Sequence, residues 1–262
     1  MSVYQELAEL ENHGGSAALC TVTHSRGSTP RQVGSKMLVY PDGRVSGTIG
    51  GGEMESRVIT TALDVIDKGL PQKLDFSFSD PAQGDAGVCG GQMEVFVDPV
   101  QPKPTIVVIG AGHVGQAVVH LAHWLGFHVI VSDDRPEFAT PDAAPYADKY
   151  LIGTAAELAN TIEINPHTYL VLTTRNSGLD VEGLPALLDS QAAYIGAIGS
   201  KRRWQITRKK LKELGISKKK LDAVVSPMGI EINADSPEEI AVSILSEIIM
   251  LRRGGDGKRM KS

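Results

Sequence analysis

Only two cysteines, Cys20 and Cys89, occur among the 262 residues, about seventy positions apart. That usage excludes a disulfide framework, and neither the two thiols nor the seven histidines have the spacing of a structural zinc site. The chain also lacks an apolar run of membrane-spanning length, a secretory leader pattern and an internal repeat. Positive charge is not in surplus: the net charge is −5 and the isoelectric point about 5.8, which argues against general nucleic-acid binding. A reducing cytoplasm is the expected compartment, with no membrane partner.

Glycine and β-branched residues are plentiful where they carry information. Thr105 to Ile109 reads as a strand buried on both faces of a parallel sheet, and Gly110-Ala-Gly112-His113-Val-Gly115 follows at once. Gly110 permits the tight strand-to-helix turn, Gly112 lets backbone approach a phosphate, and Gly115 lets helix and strand pack closely. A helix is expected from about Val114 to Leu125, with Gly126 as its stop. The next strand, His128 to Ser132, ends in Asp133 and Asp134, at the distance where a carboxylate accepts from a ribose diol; Asp133, directly off the strand, is preferred, while Arg135 leaves a 2′-phosphate open. The same glycines could instead serve packing alone.

Beyond this fingerprint the pattern alternates strand and helix: Tyr169 to Thr173, Leu184 to Ser190, Tyr194 to Ile198, a basic helix from Lys201, Ala223 to Val225, and a last helix opened by Asp235-Ser236-Pro237-Glu238-Glu239. The basic helix is expected to bury Trp204, Ile206, Leu211 and Leu214 and solvate its charges, the alternative being a partner or phosphate surface. The fold class is therefore α/β, a C-terminal Rossmann-like parallel sheet with helices on both faces, preceded by a smaller α+β domain. The expected division is 1–98, a proline-rich linker 99–104, the Rossmann-like domain 105–253, and a frayed tail 254–262. The stretch Asp98-Pro-Val-Gln-Pro-Lys-Pro104 should not continue a central strand.

In the first hundred residues, short strands are expected at Ala17–Thr23, Lys36–Tyr40, Val45–Thr48, Leu74–Phe78 and Met93–Val97, around helices near Val3–Asn12 and Glu53–Lys68. The sheet should be mixed or antiparallel. Three loops concentrate the polar chemistry. In Gly27-Ser-Thr-Pro-Arg31-Gln-Val-Gly34-Ser-Lys36, Arg31 and Lys36 could hold a phosphate, or be surface charges on a turn. In Gly47-Thr-Ile-Gly50-Gly51-Gly52-Glu53-Met-Glu55, consecutive glycines open a helix and expose its N–H groups. Glu53 and Glu55 there serve either the helix dipole or a ligand. No Lys-Ser/Thr follows, so this is not a Walker loop. In Asp85-Ala-Gly-Val-Cys89-Gly90-Gly91-Gln, a cysteine among glycines is expected to be accessible, for a sulfur or metal role or else for packing; Cys20, in an apolar run, reads as core.

The blocks GSTPRQVGSKMLV, GTIGGGEMES, GVCGGQMEVFVDP, VVIGAGHVGQAV with SDDR, YIGAIGSKRR and SPMGIEINADSPEEIAVSILSEII, in this order, resemble the XdhC/CoxI family of accessory factors for xanthine dehydrogenase and related molybdenum hydroxylases. The resemblance implies a maturation role: binding the molybdenum cofactor, as molybdopterin or its dinucleotide form, protecting it during sulfuration, and inserting it into an apo molybdenum hydroxylase such as xanthine dehydrogenase. A cysteine desulfurase is an implied further partner, and a homodimer the implied assembly. By the same resemblance Cys89 contacts the metal or sulfur, Glu55 matches the acid after the glycine run, and Gly50, Gly51, Gly52, Gly90 and Gly91 line the cofactor. Glu53 stands where many members carry a cysteine, and Ser177 where the motif after the third Rossmann strand usually has histidine. A second reading is an NAD-dependent oxidoreductase using Gly110, Gly112, His113, Gly115 and Asp133, although none of His113, His120, His123 and His128 is an obvious catalytic base.

Overall fold

The computed structural model describes residues 2–13, 15–78 and 91–260, in two compact units, Met1–Pro102 and Lys103–Ser262. In the first, α1 (Val3–His13) precedes β1 (Ala17–Arg26), β2 (Lys36–Val39), β3 (Val45–Gly47), α2 (Gly52–Lys68), β4 (Gln72–Ser77) and β5 (Gln92–Val100). The strands form one sheet in the order β3-β2-β1-β5-β4, with every neighbour antiparallel. Alternation on β1 sends Ala18, Cys20 and Val22 to the face that packs on Met54, Val58, Ala62 and Val65 of α2. Cys20 is thus a core residue, as its apolar surroundings in the sequence suggest. Burial, with a smaller push from the Glu55 charge, raises its thiol to about 12, which keeps it protonated and unreactive.

The proline-rich stretch begins later than expected. β5 lies between β1 and β4 and nevertheless carries Pro99, paired with Ala18, through to Val100. It can do so because β4 stops at Gln72, the partner of Val97; beyond that point β5 has a neighbour on one side only, where a missing N–H is tolerated. The two units divide between Pro102 and Lys103, inside the same stretch.

The second unit runs β6 (Thr105–Ile109), α3 (His113–Trp124), β7 (His128–Asp133), β8 (Lys149–Ile152), α4 (Ala155–Leu158), β9 (Thr168–Leu172), α5 (Ser177–Leu187), β10 (Tyr194–Ala197), α6 (Lys201–Glu213), α7 (Lys218–Asp222), β11 (Val224–Val225) and α8 (Pro237–Arg253). Its six strands are parallel in the order β11-β10-β9-β6-β7-β8, the doubly wound arrangement in which strand order reverses beside the first strand. Both faces are covered. Ile106 and Val108 point to α3 and α8, while Val107 and Ile109 point to α4, α5 and α6.

Local signals explain most boundaries. α8 opens with a reciprocal box, Ser236 Oγ accepting from Glu239 N–H and Glu239 accepting from Ser236 N–H, with Pro237 at the first position. α5 starts earlier than the apolar pattern suggests, because Asn176 caps the N–H groups of Gly178 and Leu179. On α6 the buried stripe is Trp204, Thr207 and Leu211. Ile206 and Leu214, expected inside, are 46% and 63% exposed. The inward residues follow the three-and-four spacing of a single helix face, which Ile206 misses by about a third of a turn. No helix among the described residues is long and apolar enough to cross a membrane.

Candidate functional site

In the first unit, the segment 28–30 of the first loop meets the glycine run of the second and the described end of the third, Gly91. A Cβ on Gly50 would lie 2.6 Å from Pro30 Cβ, and one on Gly91 would lie 2.1 Å from the Ser28 carbonyl oxygen. Segment 28–30 therefore touches Gly50 through the Pro30 ring and Gly91 through the Ser28 carbonyl, at distances that only glycine permits. Gly51 and Gly52, with φ of 84° and 71°, behave differently: nothing lies within 4 Å of where their side chains would be. The opening of α2 is consequently a bare patch of backbone, with Gly51 as its cap residue and no side chain capping it.

Glu55 holds this loop from inside. Its Oε2 accepts from the Thr48 hydroxyl at 2.7 Å and from the N–H groups of Ile49 and Gly51 at 3.1 and 3.0 Å. Burial pushes the carboxyl up, but the Thr48 hydroxyl and the backbone N–H groups outweigh it, so Glu55 titrates below the ordinary carboxylate range. The carboxylate thus ties together the loop that leads into α2. Arg31 is exposed, and its carbonyl accepts from the Ser25 and Thr29 hydroxyls. Lys36 points elsewhere, donating to the Gly34 carbonyl at 3.3 Å with its ammonium 5.7 Å from the Tyr4 ring centre. Cys89 and Gly90 lie outside the described residues. Among the described residues, no three His, Cys, Asp or Glu side chains gather as a metal-binding group.

In the second unit the fingerprint glycines have the geometry that their spacing suggests. Gly110 turns with φ of 102°; a Cβ on Gly115 would lie 2.1 Å from the Gly110 carbonyl; the side-chain direction of Gly112 is open. His113, the first residue of α3, is exposed. Asp133 is almost wholly buried and already engaged. Its Oδ2 accepts from Ala111 N–H and from Arg135 Nη2 at 2.8 and 2.9 Å, and its Oδ1 from Arg135 N–H and Nε at 3.0 and 2.9 Å.

Around it lies a small cleft of about 30 Å³, open to solvent and lined by residues that include Gly110, Asp133, Arg135, Gly153, Thr174 and Arg175. These residues stand at the carboxyl ends of β6 to β9, where doubly wound sheets place their ligands. Two further ion pairs shape the rim. Arg175 makes a two-pronged pair with Asp134 at 2.6 and 2.7 Å, which holds that carboxyl down to about 2. Buried Asp180 receives the Thr174 hydroxyl and, at 2.7 Å, Nη2 of Arg203, which also donates to the Thr174 carbonyl. Asp134 is set aside in the sequence in favour of Asp133, and Arg175, Asp180 and Arg203 are not singled out there as site residues. The two arginines lie 41 and 23 positions from their partners, and only the adjacency of Asp133, Asp134 and Arg135 offers a local signal.

Comparison with known proteins gives a consistent result. Residues 106–248 match the XdhC Rossmann domain, and residues 10–77 the XdhC and CoxI family. The chain is 33% identical, over 99% of its length, to the uncharacterized Escherichia coli K12 protein YqeB, covering 48% of that protein. Over 61% of its length it is 33% identical to a probable xanthine dehydrogenase subunit from Bacillus subtilis 168, covering 46% of it. The chain thus spans about half the length of these two relatives. It is 25% identical to the E. coli molybdenum cofactor insertion chaperone PaoD, over 91% of this chain and 84% of that one. A crystal structure of a Bacillus halodurans xanthine dehydrogenase, 24% identical, covers 100% of this chain and 98% of its own with a TM-score of 0.53, a likeness of fold.

Proposed function

Because the chain belongs to the XdhC and CoxI family, we propose that it is an accessory protein that carries the molybdenum cofactor as cargo and assists its insertion into an apo molybdenum hydroxylase such as xanthine dehydrogenase. The observation that carries this reading is the close contact of the Ser28–Pro30 segment with both Gly50 and Gly91, beside an opening of α2 left bare by Gly51 and Gly52. Such a surface suits a flat, amide-rich pterin, which can be met by backbone N–H and C=O groups once no side chain intervenes. With the Glu55 carboxylate beside the opening of α2, the cargo's phosphate is assigned to the cations of the adjoining loop, Arg31 first. Cys89 is assigned to the metal or its sulfur, two positions before Gly91 in the sequence. In the finer form of the proposal, the cargo is held while its terminal sulfur is installed, with a cysteine desulfurase as partner.

The names of two relatives support the carrier reading: PaoD is a molybdenum cofactor insertion chaperone, and the B. subtilis protein is a probable component of a xanthine dehydrogenase. The oxidoreductase reading draws its support from the cleft of the second unit. Against it weighs the engagement of Asp133 with Arg135.

The test is equilibrium binding of isolated molybdenum cofactor to the parent protein and to Cys89→Ala, with NAD(H) titrated in parallel. Binding of the pterin at about micromolar strength or better, weakened in the variant while its circular dichroism is unchanged, is the expected result. Equal retention by both proteins removes Cys89 from the mechanism. Tight NAD(H) binding without pterin affinity overturns the carrier reading.

A further inference from the structure

Charge is spread unevenly along this chain. Residues 201–222, which form α6, α7 and the turn between them, hold ten cations and two acids, whereas the other 240 residues hold sixteen cations and twenty-nine acids. Internal pairing uses three of the ten: Arg203 meets Asp180, Arg208 meets Asp222, and Lys220 meets Asp189. Lys201, Arg202, Lys209, Lys210 and Lys212 of α6, and Lys218 and Lys219 of α7, are exposed and have no ion-pair partner among the described residues. Their placement works against the helices that carry them. α2, α5 and α8 have acids in the first turn, as the helix dipole favours, while α6 begins Lys201-Arg202-Arg203 and α7 begins Lys218-Lys219-Lys220. Arg208 and Lys209 also stand one turn from Lys212, a spacing at which like charges repel. An anionic partner would offset this local cost.

Two apolar features separate this surface from an ordinary solvated one. Ile206 is exposed with Arg202 one turn before it and Lys209 and Lys210 one turn after, and Leu214 is exposed one turn beyond Lys210. At α7 opens a groove of about 400 Å³, lined by Leu188, Ala193 and Ile195 as well as by Ser217, Lys219 and Lys220. The one aromatic ring of the segment, Trp204, packs on the core, so the surface lacks the open ring on which nucleic-acid bases stack. A phosphate polymer has no aliphatic group to lay on Ile206; an acid-rich protein segment with aliphatic residues among its carboxylates brings both chemistries. We propose that the outward face of α6 and α7 docks such an acidic segment of a partner protein, its carboxylates meeting Arg202, Lys209 and Lys212 and its aliphatic side chains meeting Ile206 and the groove. The 13 residues of α6 give this face a length of about 20 Å, the span of about six residues of extended chain. Only the second unit is involved, and the docking surface is independent of the carrier reading of the first.

The experiment is fluorescence anisotropy of a labelled peptide of repeated Glu-Glu-Leu-Glu titrated with the full chain at low salt. Unlabelled poly-glutamate of equal charge, oligothymidylate and phosphatidylserine vesicles then compete for the same surface. The proteins are the parent, the triple variant Arg202→Gln, Lys209→Gln, Lys212→Gln, and Ile206→Gln. All four side chains are exposed and glutamine is a good helix former, and thermal unfolding checks that each protein is folded. The parent is expected to bind the leucine-bearing peptide at least about fivefold more tightly than poly-glutamate, through partial burial of a leucine. The triple variant should lose at least about tenfold, the sum of three exposed ion pairs. Ile206→Gln should abolish the preference for leucine and leave poly-glutamate binding unchanged. No binding of the peptide by the parent, equal binding by parent and triple variant, or poly-glutamate held as tightly as the leucine-bearing peptide overturns the proposal. So does stronger competition by oligothymidylate or by the vesicles than by poly-glutamate, which would assign the face to a nucleic acid or to a membrane. Where the triple variant does not fold, the parent's ranking decides: the leucine-bearing peptide in first place supports the proposal, and any other order overturns it.

Discussion

The glycine loops of the first unit and the cleft of the second are stabilised in opposite ways. Each has a carboxylate beside a glycine turn, and in each the carboxylate faces inward. Glu55 is satisfied by neutral donors of its own loop, a hydroxyl and backbone N–H groups, and leaves Gly51 and Gly52 bare. Asp133 is satisfied chiefly by a guanidinium, and its neighbours Asp134 and Asp180 are likewise paired with Arg175 and Arg203. Neutral donors fix a loop without covering its outer surface. A guanidinium fixes a loop by filling the space in front of it.

The contrast is broken most severely in the second unit. Asp180→Ala leaves the partly buried Arg203 guanidinium without its carboxylate and is expected to cost about 3–5 kcal/mol in urea unfolding, the usual penalty for an uncompensated buried charge. In the first unit the comparable break is steric. Gly91→Ala drives a methyl group against the Ser28 carbonyl and should cost about 3 kcal/mol by the same measurement, through separation of the two loops. Gly51→Ala meets no neighbour and bears only the strain of its backbone, φ 84° and ψ −178°, about 2 kcal/mol. The smallest effect is that of Glu55→Gln, about 1 kcal/mol at neutral pH, because an amide oxygen still accepts from Thr48 but without charge. Glu55 titrates lower in the folded protein than in the unfolded chain. Its contribution is therefore present above the unfolded value, about 4.3, and is lost as pH falls from there through the folded value; the difference between parent and Glu55→Gln should vanish in that window.

How much of this is legible in the sequence depends on the range over which each cause acts. The β6-α3-β7 fingerprint and the Ser236 box are written within a few residues, and the structure has both. The edge strand Lys149–Ile152 is only four residues long, so its Tyr150-Leu151-Ile152 run is too short to be told from a loop or helix segment by pattern alone. Pro99 misleads because its tolerance depends on where β4 ends, a fact of sheet register that lies 27 residues away at Gln72. At the sites, residue type is legible and direction is not. Glu55 and Asp133 stand out as the acids beside the glycine turns, but whether a carboxylate faces a ligand or its own loop depends on donors that only the folded chain brings within 3 Å. The meeting of Pro30 with Gly50, and of Ser28 with Gly91, belongs to the same class.

The most direct test of the carrier proposal is equilibrium binding of isolated molybdenum cofactor to the parent protein and to Gly51→Ala, with urea unfolding confirming that both are folded under the assay conditions. The account predicts binding by the parent and a loss of at least about tenfold in the variant, because a methyl group then stands on the bare backbone at the opening of α2. No binding by the parent, or equal binding by the two proteins, would contradict it.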